Sequence, residues 1–239
     1  MDIIEKEKSS DEGTRIITLK NSDKFVEIWD KNRNFYGGNQ NWFPNIIQRK
    51  GACGTVAAAN ITAYTASQNK KYSALYPYED FSKENFLSHM LDIYKYLYPL
   101  SIPFTDIPLG IWSTRKLKRG LEKFANHKNI TLKGVEFNSE FNKDNIVKFI
   151  EKALKANSPV AMMIGLNSYL KNITVVQPNG YSWNQLEFKL HWVLITELLI
   201  NNSVDKVLVK VSTWGGYAYL DLDLIARGKL KRKELIYFI

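Results

Sequence analysis

The sequence predicts an α+β domain, helices first and a mostly antiparallel sheet second, and three observations carry that expectation. From Cys53 to about Ser67 the chain is rich in alanine, with apolar and aromatic residues at helical spacing, the pattern of a buried helix. Three further segments open on residues that cap helices, Ser82, Ser113 and Asn142. Each carries apolar side chains at three- and four-residue intervals, to about Tyr96, His127 and Asn157 respectively. Beyond Pro159 the period shortens, and apolar runs of strand length separated by turn residues replace the helical pattern. Helices followed by strands in this order form an α+β architecture.

The elements follow in chain order. Residues 1–14 read as a flexible lead-in. Arg15 to Leu19 and Lys24 to Trp29 alternate as short strands, and Asn32 to Asn45, rich in Asn, Gly and aromatics, reads as a loop. After the helices, Ile130 to Phe137 can form a strand. Pro159 to Ile164 is nearly all apolar, which suits a strand covered on both faces, and Asn167 to Gln185 reads as a polar insertion. Leu190 to Thr196 and Val207 to Val211, joined through Asn201-Asn202-Ser203, form an antiparallel pair. Tyr217 to Leu220 and Leu235 to Ile239 add strands, with a short turn or helix at Leu222 to Ala226.

A chain of 239 residues can bury about 70% of its unfolded surface, enough for one domain spanning 1–239. Its 45% apolar content and six tryptophans exclude a disordered tail or a fibre. No apolar run approaches the roughly 20 residues of a membrane span. The opening residues alternate in charge where a secretory signal would be apolar. That fits a cytoplasmic chain, or a secreted one whose leader has been removed. One cysteine forbids an intrachain disulfide or a cysteine-rich metal site, and His89, His127 and His191 form no metal signature, so chemistry without a cofactor or metal is expected.

The net charge of +9 favours anionic partners. Arg115-Lys116-Leu117-Lys118-Arg119 and the run from Arg227 to Lys233 supply much of it. Either could touch phosphate, an anionic wall polymer or an acidic protein, although lysines interleaved with leucines also keep a surface helix solvated. No nucleic-acid module pattern accompanies them.

The chemistry centres on Cys53. Gly51 and Gly54 flank it, and a thiol at a helix start faces unpaired amides that favour an anion and can serve a developing oxyanion. His191, opening the apolar run from Trp192 to Thr196, is the candidate general base and acid. His89, on a helical pattern, and His127, near a helix end, look like surface or cap residues.

At three segments the chain resembles the papain-like cysteine peptidases, in particular their bacterial C39-like branch. They are Gln48 to Gly54, His191-Trp192-Val193, and Ser212-Thr213-Trp214-Gly215, in the family's order along the chain. The resemblance implies a papain-like fold, a helical part carrying the Cys53 helix and an antiparallel sheet carrying His191. It further implies Cys53 as nucleophile, His191 as acid–base and Gln48 as side-chain oxyanion donor, with Gly54 beside the thiol and Trp214 shielding the third residue. Gln48 stands five positions before Cys53 where the family has six, so Asn45 and Gln40 are alternative donors. Ser212 occupies the place of the residue that orients the histidine, with Thr213, Asp221 and Asp223 as alternatives.

The function expected is a thiol-dependent hydrolase cleaving a peptide or amide bond through an acyl-enzyme on Cys53. The alternatives are a weak or inactive papain-like domain binding a peptide or anionic polymer, and a thiol acyltransferase or isopeptidase. The expected partner is a peptide, protein or cell-wall peptide substrate, met by a monomer or weak oligomer. Tyr36, Trp42, Trp183 and Tyr217 are candidates to line its cleft, although large aromatics more often fill cores.

Overall fold

The computed structural model describes residues 13–102, 107–228 and 234–239. The basic run after Gly228 and most of the lead-in lie outside these residues. The chain is α+β, with a mainly antiparallel sheet. The elements are β1 (Thr14–Thr18), β2 (Glu27–Asp30), β3 (Arg33–Tyr36), α1 (Ile46–Gly51), α2 (Cys53–Gln68), α3 (Lys83–Tyr94), β4 (Leu100–Ser101), β5 (Pro108–Gly110), α4 (Thr114–His127), β6 (Gly134–Glu136) and α5 (Lys143–Lys155). Then follow β7 (Val160–Ile164), β8 (Lys171–Val176), β9 (Ser182–Glu187), β10 (His191–Asn201), β11 (Lys206–Thr213), β12 (Gly216–Asp221), α6 (Leu222–Arg227) and β13 (Leu235–Phe238).

The helix starts form where side chains can satisfy the first free amides. Ser82 caps α3, Ser113 caps α4 and Asn142 caps α5, each accepting from the backbone N–H three residues on. α2 is different: every residue from Cys53 to Tyr64 is buried, so it has no solvated face. Its alanines let neighbours approach closely. Its polar groups are satisfied at once, Thr55 donating to the Leu97 carbonyl at 2.6 Å and Asn60 accepting the Gly38 N–H at 2.9 Å.

The main sheet runs β6-β13-β7-β10-β11-β12-β8-β9, with β1 also pairing β10. β10 is its spine. Its first half pairs with β7 and its second half with β1, while β11 lies along its other edge. The β10–β11 register shifts between Ile195 and Glu197. α2 lies against β10, and α5 against β1, β7 and β10. Among the described residues no helix is long and apolar enough to cross a membrane.

Four expectations need correction. The segment expected as a loop contains β3, which forms a hairpin with β2 around Lys31, held in the left-handed region at φ 55°. The expected strand from Lys24 to Trp29 begins only at Glu27, because Ser22–Lys24 closes a 3₁₀ turn. The polar insertion is the β8–β9 hairpin at the sheet edge, whose exposed side chains are mostly polar, Leu186 and Tyr181 excepted. His89 is not a surface residue: it is fully buried, its Nε2 2.8 Å from the Thr62 hydroxyl, among the rings of Tyr76, Phe86 and Phe124. His127 is exposed at the end of α4, as expected.

Just past the β10 shift a buried polar network locks this spine to the amino-terminal part. Lys210 on β11 pairs with Glu197 at 2.9 Å, and both side chains are nearly buried. Glu197 also accepts from Ser22 at 2.9 Å, while the Tyr36 hydroxyl bonds the Ser22 carbonyl and Thr196. Lys210→Ala would strand the Glu197 carboxylate, and equilibrium urea unfolding should show a loss of about 3–5 kcal/mol. Replacing both partners, Glu197→Gln with Lys210→Met, should cost clearly less.

Candidate active site

Two elements far apart in the chain converge on Cys53 and His191. The thiol sits at the first turn of α2, directly after the short α1, and the imidazole opens β10. Gly54 permits the approach: a Cβ there would lie 2.7 Å from Ile111 Cγ1 and 3.1 Å from Trp192 Cδ1. The indole of Trp192 fixes the other side, donating to the Ile111 carbonyl at 2.7 Å. Cys53 and His191 both line a cavity of about 10 Å³, together with Gln40, Val56, Ala57, Asn60, Trp192 and Thr213. That is space for about one water molecule.

The imidazole is held from two directions. Its Nε2 lies 2.8 Å from the Thr213 hydroxyl, and the Trp214 ring stacks on it with centroids 4.0 Å apart and planes at 14°. Phe188 closes the edge, against both His191 and Trp214. With Nε2 engaged, Nδ1 is the nitrogen left for proton exchange. Backbone strain brackets the ring: Leu190, before it, and Trp214, after Thr213, take φ of 49° and 46°, which costs about 1–3 kcal/mol per residue. The turn bearing Trp214 is clamped, because Asn39 donates to the Trp214 carbonyl at 2.7 Å and the Tyr36 N–H to the Gly215 carbonyl at 2.9 Å.

Ser212 lines the cavity but does not hold the histidine ring. Its hydroxyl donates to the Tyr36 carbonyl at 2.8 Å, and Gly37, at φ 80°, packs so tightly there that a Cβ would lie 2.5 Å from Ser212 Oγ. Thr213 takes the ring, because neighbouring side chains on a strand point to opposite faces. Asp221 caps α6 and Asp223 pairs with Lys143 at 3.1 Å, so neither is at the site.

Gln48 is likewise occupied elsewhere. Its side-chain carbonyl accepts the Asn45 N–H in the capping box of α1, and Asn45 accepts from Ile47 in return. Gln40, named above as an alternative donor, reaches the cavity, as does Asn60. One N–H of Gln40 goes to the Arg49 carbonyl at 2.9 Å, and among the described residues its buried carbonyl oxygen has no hydrogen-bond partner. None of Tyr36, Trp42, Trp183 and Tyr217 lines the cavity; Tyr36 is core, and Trp42 packs edge-on against Phe35. Sequence reasoning passed over Asn60, although Cys53, Val56, Ala57 and Asn60 follow the spacing of one helix face and a polar residue in an alanine-rich buried helix marks a polar neighbour.

At both Cys53 and His191 burial favours the uncharged form. Burial pushes the Cys53 thiol up, and backbone N–H groups of Trp192, Gly54 and Cys53 aimed at the sulfur offset only part of this. Burial pushes the His191 imidazole down to about 3. Among the described residues no group of three or more His, Cys, Asp or Glu side chains is placed to hold a metal ion.

Two measurements follow from this burial. Folded His191 and His89 are both pushed down to about 3, whereas an unfolded histidine titrates near 6.5. The unfolded chain therefore binds more protons between those values. Stability should fall as pH drops from about 6.5 toward 3, by up to about 1.4 kcal/mol per pH unit for each histidine. His89→Leu should roughly halve that slope in urea unfolding followed across pH. Iodoacetamide should alkylate Cys53 of the folded chain more slowly than free cysteine at pH 7, and mild denaturant should accelerate the reaction.

No protein-family model matches the chain, and no curated protein matches it in sequence.

Proposed function

We propose that the chain is a thiol-dependent hydrolase of papain-like type, cleaving a peptide or amide bond through an acyl-enzyme on Cys53. One observation carries the reading: a thiol at a helix start shares a cavity with a histidine whose far nitrogen is held by Thr213 and whose face is covered by Trp214. His191 takes the thiol proton as the sulfur attacks the carbonyl carbon. The Cys53 backbone N–H and the second N–H of Gln40 receive the tetrahedral oxyanion. The proton passes to the leaving amine, and water, deprotonated by His191, releases the acyl group and restores the thiol. Thr213 is a positioning residue: a neutral hydroxyl fixes the ring without stabilising its cation as a carboxylate does, which suits a thiol nucleophile better than a hydroxyl one.

A second reading, a peptide-binding domain without turnover, is favoured by the closure of the cavity to about 10 Å³. A fluorogenic peptide-library screen separates the two. Under the hydrolase reading, Cys53→Ala abolishes turnover, His191→Ala lowers kcat about 10²–10⁴-fold, and mass spectrometry finds the acyl adduct on Cys53. Gln40→Ala lowers kcat about 10²–10³-fold, whereas Gln48→Ala leaves it unchanged and only loosens a helix cap. Equal turnover by the parent and Cys53→Ala would sink the mechanism.

A further inference from the structure

A second concavity shares no residue with the Cys53 cavity. It is a groove of about 360 Å³ between α4 and the chain leaving α3, lined by Tyr96, Ser113, Arg115, Lys116, Arg119, Gly120 and Lys123. Four of these side chains are cationic and none is acidic. Among the described residues none of the four makes an ion pair. Carboxylates on and around α4 have partners of their own, Glu136 the Thr114 hydroxyl at 2.6 Å, Glu122 the Gly134 N–H and Lys118, and Asp92 on α3 has Lys95 and Tyr78. Gly120 lets the chain leaving α3 pack closely on α4 along one wall of the groove, because a Cβ there would lie 2.7 Å from Leu97 Cδ1 and 3.0 Å from the Tyr96 carbonyl.

Charges here are arranged against their own stability. Arg115 and Lys116 occupy the first turn of α4, which holds no acidic residue, although that end of a helix favours anions. Among the described residues the buried Lys116 ammonium has no hydrogen-bond partner; it lies 5.3 Å from the centroid of the Tyr98 ring. Burial pushes its pKa down. An unpaired buried ammonium is costly, and a bound anion removes the cost.

We propose that this groove binds a small ligand carrying two or more phosphate groups. A phosphate monoester carries about −1.5 to −2 charge at pH 7, so two of them match four cations where one does not. From Arg115 to Lys123 the cations extend along about 12 Å of helix, enough for neighbouring phosphates in a row. The groove volume lies at the lower end of the range for small-molecule sites, which favours a compact ligand over a polymer. Two arginines offer forked donors, and the Tyr98 ring flanks the buried ammonium. This inference does not depend on the chemistry of Cys53.

The test is isothermal titration of the full chain with tripolyphosphate, pyrophosphate, inorganic phosphate and citrate at about 0.15 M salt, where weak surface attraction is screened. Saturable one-to-one binding of tripolyphosphate and pyrophosphate is expected, at least tenfold tighter than phosphate or citrate. Lys116→Met and the exposed Arg119→Gln should each weaken it at least tenfold, with folding checked by circular dichroism. Lys152→Gln, on the exposed part of α5, should leave it unchanged. No binding, equal loss in Lys152→Gln, or citrate binding as tightly as tripolyphosphate would overturn the proposal. So would binding confined to phosphatidylglycerol vesicles, which would make the groove a lipid-headgroup surface.

Discussion

The structure depends on the burial of α2 from every side. A helix with no solvated face cannot use amphipathicity to choose its orientation, so the small size of its residues and a few fixed polar contacts set it in place. Alanines at 57, 58, 59 and 63 let β10, α3 and α4 close in, while Thr55, Asn60 and Thr62 each meet a defined partner. The Cys53 end of the helix is thereby set against the first residues of β10.

The same burial shapes the chemistry. It moves thiol and imidazole in opposite directions, toward the uncharged form of each, and leaves room for about one water between the walls. Backbone amides aimed at the sulfur pull the other way. An enzyme built so would hold its nucleophile protonated until a substrate, or a movement admitting one, changes the dielectric around it.

Much of the fold was legible because its signals are local. Ser82, Ser113 and Asn142 announce helix starts with the side chains that cap them, and the apolar run after His191 could only be a covered strand. Cys53 and His191 stood out in the sequence as a thiol at a helix start and a histidine opening an apolar strand, and they share a cavity. What failed depended on facing and partnership. Ser212 and Thr213 are adjacent letters with opposite orientations, and a short motif does not say which one faces the ring. Gln48 looked like a donor near the thiol, but α1 is a helix that the Asn- and Pro-bearing approach concealed, and its cap claims that side chain. Gln40, one of the two alternatives to Gln48, lies on the turn before α1 and reaches the cavity. The polar face of the β8–β9 hairpin resembled a loop because an edge strand resists aggregation with the same residues that loops use.

The strand order has a consequence for how the chain must be made. β1 pairs with residues 197–201 near the far end of β10, and β13, the last described strand, lies between β6 and β7. As the chain emerges from a ribosome, β1 waits for nearly two hundred residues before its partner exists, and β6 and β7 stand apart until β13 arrives to join them. Assembly of the sheet is therefore a late, long-range event, and a growing chain presents open strand edges throughout synthesis.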